Sequence, residues 1–248
     1  MDLTVNIRME GLIRKGILNV AKRIVRHFLI SERRAKEDWE FQWQCHEWCE
    51  LFSQPETKAK VLEYWNNFRY LREIRKHIPF DETTITLDVG CGISTVLHYL
   101  TGKRYGIDPL ADRYKSIYLY PDDIYIQTAY GESIPFSNNF FNVVICSNCI
   151  DHTDHPQRTL TEIRRVLKPG GYFILTCEVF PADLGKRNVG HPHSMTLTNL
   201  MTLVEGFSIV ERWESPWVGL RGYVLGNPPT EQLEQIFLLR KFKPGVIS

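Results

Sequence analysis

The sequence has no apolar run long enough to cross a bilayer. Stretches such as Val143–Cys146 are typical of its unbroken runs, far short of the ~18 residues a span needs. No continuous apolar segment opens the chain either, since Asp2, Glu10 and scattered arginines interrupt it, so no secretory signal is read. Net charge is scarce: 30 Lys+Arg against 29 Asp+Glu leave +1, which gives no reason to expect a nucleic-acid partner. Cysteine is sparse at 6 in 248 residues, and reduced thiols in a cytoplasm are expected rather than a disulfide framework. Internal repeats and low-complexity segments are absent. What is present is 43% hydrophobic residues, enough to build a core and to exclude a wholly disordered chain.

The charge is unevenly placed. Residues 1–36 hold nine Lys/Arg against Asp2, Glu10 and Glu32, a balance of +6, which leaves −5 for residues 37–248. Ile13, Ile17, Val20, Ile24 and Phe28 recur at helical spacing, with Lys15, Lys22, Arg26 and Arg33 on the opposite side. Residues 12–34 are therefore read as an amphipathic helix docked on the rest of the chain. The alternative is peripheral contact with an anionic surface at the inner membrane face. A second helical stretch carries Trp39, Phe41, Trp43 and Trp48. A third is expected from Pro55 to about His77, with Val61, Tyr64, Phe68, Leu71 and Ile74 on its apolar face. Residues 1–80 thus form an expected N-terminal helical cap, and residues 81–248 a second unit.

From Thr84 the pattern changes. Thr84–Val89, Arg104–Ile107, Ile124–Gln127, Phe140–Cys146 and Tyr172–Cys177 favour strands, and Thr95–Leu100, Asp112–Tyr118 and Gln157–Leu167 lie between them as helical or loop segments. Phe207–Trp213 and Ile236–Phe242 are two further strand candidates. Strands alternating with helices predict an α/β fold, a mostly parallel sheet with helices on both faces.

Within this pattern, Thr86-Leu87-Asp88-Val89-Gly90-Cys91-Gly92 reads as a strand running into a glycine turn, followed by a helix from Thr95. Glycines at 90 and 92 permit a tight turn and close approach of backbone to a ligand. The helix would aim its N–H groups at the same spot. As a dinucleotide fingerprint the run fails, because Thr95 stands where a third glycine belongs.

Asp88-Val89-Gly90-Cys91-Gly92 resembles motif I of the class I S-adenosylmethionine (SAM)-dependent methyltransferases. The resemblance repeats in order through Tyr105-Gly106-Ile107-Asp108, Gly131-Glu132-Ser133-Ile134-Pro135-Phe136 and Phe140-Phe141-Asn142-Val143-Val144. It continues through Ile150-Asp151-His152, Arg165-Val166-Leu167-Lys168-Pro169-Gly170-Gly171 and the terminal Phe237–Lys241. It covers about residues 84–242 and is closest to the ubiquinone-biosynthesis-type branch acting on small molecules and lipids. It implies a Rossmann-like seven-stranded sheet whose last strand is antiparallel. It also implies a SAM site formed by Asp88, Gly90, Cys91, Gly92, Asp108, Pro109, Tyr130, Gly131, Glu132 and Ser147. Asp108 would take the ribose hydroxyls, and Tyr130 would edge or stack on the adenine. Three positions depart from the family pattern: Ser94 replaces a glycine, Tyr130 an acid, and Asn142 the fourth-strand acid.

Methyl transfer to an alcohol, phenol or activated carbon needs a base, for which a histidine is suited. His152 is the first candidate by position, and His193, in Gly190-His191-Pro192-His193, the second. Cys146-x2-Cys149-x2-His152-x2-His155 has the spacing of a metal set, but it straddles a strand end inside the methyltransferase motif, and no metal is expected. The expected acceptor is a small-molecule, sugar or lipid-linked compound. Trp39, Trp43, Trp48, Trp213 and Trp217 suit such a body, although core aromatics would read the same. The competing readings are a catalytically silent SAM-fold scaffold and, less favoured, an NAD(P)-dependent oxidoreductase.

Overall fold

A computed structural model of the chain describes residues 32–45, 48, 55–67, 71–180, 190–216, 218, 220–228 and 233–242. Most of the expected basic helix over 12–34 lies outside these residues, as do Phe68 and Trp217. The described part begins with helix α1 over residues 32–44. Helices α2 (Pro55–Asn67) and α3 (Leu71–Ile74) fall within the span expected as a helix over 55–77, and residues 68–70 lie outside the description.

The remainder alternates as the spacing predicts. The strands are β1 (Ile85–Val89), β2 (Lys103–Asp108), β3 (Ile124–Thr128), β4 (Phe141–Ser147), β5 (Leu167–Val179), β6 (Ser208–Pro216) and β7 (Leu233–Arg240). Helices α4 (Ala111–Lys115), α5 (Pro156–Val166), α6 (Leu197–Leu203) and α7 (Leu220–Leu225) connect them. The sheet has seven strands in the order β3-β2-β1-β4-β5-β7-β6, and β7 runs antiparallel to both its neighbours. This is a Rossmann-like α/β sheet.

Both faces of the central strands are buried, which is why these strands are nearly continuous in apolar residues. On one face Val143, Ile145, Ile174, Ile236 and Leu238 pack with Val61, Tyr64, Leu71 and Ile74 of α2 and α3 and with Tyr114 of α4. On the other, Leu87, Val89, Val144, Phe173, Leu175 and Phe237 pack with Leu160, Ile163 and Val166 of α5 and Leu200 of α6. Simple alternation would put Phe141 on the face of Val143. A register shift between them turns Phe141 to the opposite face, with Val144. Asn142 sits in that irregularity. Its Oδ1 accepts from the Ile85 N–H (3.0 Å) and from Lys168 Nζ (3.1 Å), so this departure from the family pattern stitches β1 to β4 and β5.

Two expectations need correction. The segment after the glycine turn is a four-residue 3₁₀ turn, Val96–Tyr99, instead of a helix over 95–100. So short a turn carries little dipole, and the expected aim of helix N–H groups at a ligand falls away. Strand β5 begins at Leu167 rather than Tyr172. The Gly170 N–H donates to the Lys241 carbonyl and the Lys241 N–H to that of Gly171, which ties the Lys168-Pro169-Gly170-Gly171 segment, with Gly170 at φ +75°, to the end of β7.

Candidate active site

Strand β1 pairs with β2 on one side and β4 on the other. Successive connections leave in opposite directions at this point, and the C-terminal ends of the strands open a crevice there. The crevice is a cavity of about 620 Å³. Asp88, Gly90, Cys91, Gly92, Asp108, Pro109, Tyr130, Gly131, Glu132 and Ser147 all line it, and so does His152. His193 does not; its Nε2 lies 2.9 Å from the Thr153 carbonyl oxygen, and His191 is the residue of that segment on the cavity wall.

The turn after β1 is held to β2, since the N–H groups of Gly90 and Cys91 both donate to the Ile107 carbonyl (2.8 and 3.1 Å). Gly90 has φ +72°, and a Cβ there would stand 2.1 Å from Cys149 Sγ, so glycine is needed twice over. Thr95, the misfit of the dinucleotide pattern, donates its hydroxyl to Asp88 Oδ2 (2.6 Å) while accepting from the Leu97 N–H (3.2 Å). It thereby fixes the carboxyl and caps the 3₁₀ turn.

Asp88 is 2% exposed, and its Oδ1 has no hydrogen-bond partner among the described residues. Burial, aided by the charge of Asp108, pushes its carboxyl up to about 7 against the Thr95 hydrogen bond. Asp108 accepts from the N–H groups of Gly92 (3.1 Å) and Leu110 (2.8 Å), and burial pushes it up to about 7 as well.

The segment Gly131–Phe136 is fixed from α5. Glu162 accepts from the Ile134 N–H (2.9 Å), and Arg165 donates to the carbonyls of Ile134 and Phe136 (both 2.7 Å). Two motifs distant in sequence thus form one support. The Glu132 carboxylate accepts from the His155 N–H (3.0 Å), and the Ser147 hydroxyl meets that of Thr176 (3.0 Å).

Helix α1 covers the cavity. Glu37 accepts from the Tyr130 hydroxyl (2.7 Å), Asp38 pairs with Arg113 (2.8 Å), and Gln44 accepts from the Ile93 N–H (3.4 Å). Arg33 and Lys36 pair with Asp154, and Lys36 also donates to the His152 carbonyl. Trp39 and Trp43 stack at 5.9 Å on the cavity wall, joined by Trp48, Tyr64 and Trp65. Trp213 packs against the core cluster instead and does not line the cavity.

Beneath this cover lies a group of titratable side chains. Asp151 Oδ2 stands 2.8 Å from His191 Nδ1 and 4.0 Å from His152 Nε2. His152 Nδ1 is 3.7 Å from Glu40 Oε2, and the two imidazole rings approach to 4.2 Å. The Asp151 carboxylate raises His191 above its ordinary value against burial. Burial, with the charge of Asp151, pushes Glu178 up to about 7. The spacing-based set does not assemble around this point: His155 does not line the cavity, and His191, distant in sequence, does.

Residues 87–175 match the family described as methyltransferase domain. Over those residues the chain is similar to methyltransferase domains. A probable methyltransferase of Aspergillus luteorubrus, ltbC, is 27% identical over 183 residues, which are 65% of this chain and 56% of that protein. The sterol 4-C-methyltransferase strm-1 of Caenorhabditis elegans is 26% identical over 197 residues, 67% of this chain and 54% of that protein. The chain therefore spans about half the length of these curated relatives. A solved Bacillus halodurans methyltransferase structure superposes with a TM-score of 0.53 at 17% identity, covering 70% of this chain and 99% of that one, which shows the shared fold of the methyltransferase domain.

Proposed function

We propose that the chain transfers a methyl group from SAM to a hydroxyl or an activated carbon of a small-molecule, sugar or lipid-linked acceptor. One observation carries the reading: the residues that resemble the family's SAM motifs meet around a single cavity, together with His152. The residues fit the cofactor. Asp88 offers a buried carboxylate oxygen without a partner, and Asp108 keeps lone pairs beyond its two backbone hydrogen bonds, suited to a pair of hydroxyls. Tyr130 presents a ring at the cavity edge, braced by Glu37. SAM would supply an electrophilic methyl on a sulfonium.

The protein's part is then alignment, exclusion of water and removal of the acceptor's proton. The tryptophans of α1 and residue 48 supply a flat apolar wall for the acceptor body. His152 stands beside that wall, with Glu40 Oε2 3.7 Å from its Nδ1 and Asp151 Oδ2 4.0 Å from its Nε2. A carbon acceptor accords with the name of the C. elegans relative. Residues 1–80 act in this reading as a cap over the acceptor.

The test is incubation of the protein with methyl-labelled SAM and cell extract, followed by mass spectrometry. A labelled small molecule is expected. No label above a heat-killed control, with S-adenosylhomocysteine still bound, would favour the silent scaffold.

A further inference from the structure

Asp151, His152 and His191 each offer one ligand atom, and these atoms lie within 4.8 Å of one another. Asp151 is nine-tenths buried, while both imidazoles reach the cavity. Two imidazoles and one carboxylate on one side of an open cavity form a donor set for a divalent first-row transition metal, with positions left for other ligands. A second observation points the same way. If His152 uses Nε2, its other ring nitrogen faces Glu40 at 3.7 Å, and metal-bound histidines commonly give their second N–H to a carboxylate. Metal–nitrogen and metal–oxygen distances are ~2.1 Å, which puts neighbouring ligand atoms ~3.0–3.4 Å apart. The 2.8 and 4.0 Å separations from Asp151 Oδ2 bracket that range, and a turn of the His152 ring closes the longer one.

We infer that Asp151, His152 and His191 bind a divalent transition-metal cation at the inner wall of the cavity, facing the acceptor space. In the methyl-transfer reading, on which only its purpose depends, the cation takes an acceptor oxygen as a further ligand. It would lower that oxygen's pKa, so that its proton passes to solvent and His152 serves as ligand rather than base. Asp88 and Asp108 lie outside the donor set, so cofactor affinity and metal affinity are separable.

The experiment is direct titration of the full chain, stripped with chelator and freed of any affinity tag, with Mn²⁺ and Co²⁺. S-adenosylhomocysteine binding is measured in parallel with and without chelator. One equivalent of metal is expected, with a Co²⁺ spectrum free of thiolate charge-transfer bands. Asp151→Asn and His191→Gln should abolish stoichiometric binding. Glu40→Gln, on the partly exposed α1, should weaken it about 10–100-fold and leave the fold intact. No stoichiometric metal in the wild type, a thiolate signature, or affinity unmoved by Glu40→Gln and His191→Gln would overturn the site. Failure of S-adenosylhomocysteine to bind while metal still binds would instead sink the methyl-transfer reading.

Discussion

Replacing Gly90 with alanine should destabilise the turn after β1 by two separable mechanisms. The φ of +72° is a left-handed conformation, which costs a residue with a Cβ ~1–2 kcal/mol. The added Cβ would also stand 2.1 Å from Cys149 Sγ and 2.6 Å from Cys149 Cβ, an overpacking worth ~1–3 kcal/mol. Together they predict a loss of ~2–5 kcal/mol in urea unfolding, or roughly 4–20 °C in Tm for a chain of this size. The neighbour distances make the prediction sharper. Cys149→Ala removes the sulfur but leaves the Cβ at 2.6 Å, so it should hardly rescue Gly90→Ala. Cys149→Gly removes both atoms and should return the steric share, leaving only the backbone cost. The double-mutant coupling should therefore be at least ~1 kcal/mol with glycine and near zero with alanine. Equal couplings, or a Gly90→Ala change within ~0.5 kcal/mol of wild type, would refute the argument.

Asp108→Asn should weaken S-adenosylhomocysteine binding by roughly 1.5–3 kcal/mol in calorimetry through loss of charge-assisted hydrogen bonds, and unchanged affinity would remove Asp108 from the site. The same binding should weaken as pH falls below about 7, because Asp88 and Asp108 then take up protons in the free protein. The stability contribution of these acids has the opposite sense. Their folded pKa values lie above the ordinary 3.8, so the fold holds protons that the unfolded chain has released between about pH 4 and 7. That contribution is full at the acid end and lost as pH rises through about 7, which Asp88→Asn should flatten in a pH series of urea titrations. Arg165→Met should cost ~2 kcal/mol and speed amide exchange over residues 131–136, since it removes two carbonyl partners and leaves Glu162 without its cation. Exchange unaltered there would mean that the segment is held by other contacts.

The strands were legible because each signal in them was local. Thr86-Leu87-Asp88-Val89 ahead of a glycine turn, and the apolar runs of β4, β5 and β7, declare themselves by composition and spacing. Helix α6 is not among the helices the sequence pattern predicts, although Thr196 caps it, accepting from the Asn199 N–H (3.1 Å), and Leu197 and Leu200 keep helical spacing. That signal was present and short. Helix α7 carries Gly222 within six residues, and it is held by Val224 in the core, by Tyr223 against Tyr64 and by Lys60 Nζ donating to the Val224 carbonyl (3.1 Å). Tertiary contacts of this kind leave no mark on the local pattern.

The site divides along the same line. Its proposed cofactor side is written in contiguous motifs, one per strand end, and an ordered set of short motifs can be read without knowing how the strands pack. The proposed acceptor side is assembled from three distant places, α1, the turn after β4, and the segment around His191. Spacing does not decide here, and contact does: Cys146 and His155 share a regular interval with His152 but do not line the cavity beside it. His191, two residues before the sequence candidate His193, does line it. The pairing of Glu37 with Tyr130, of Gln44 with Ile93 and of Lys36 with His152 has a consequence for the proposed function, because one helix then touches both the proposed cofactor side and the proposed acceptor wall. Loosening α1 should raise the apparent dissociation constant for S-adenosylhomocysteine and lower turnover together. Substituting Glu37→Gln with Gln44→Ala tests that, since both side chains contact cofactor-side residues and neither touches His152. A loss confined to turnover would show that α1 serves the acceptor alone.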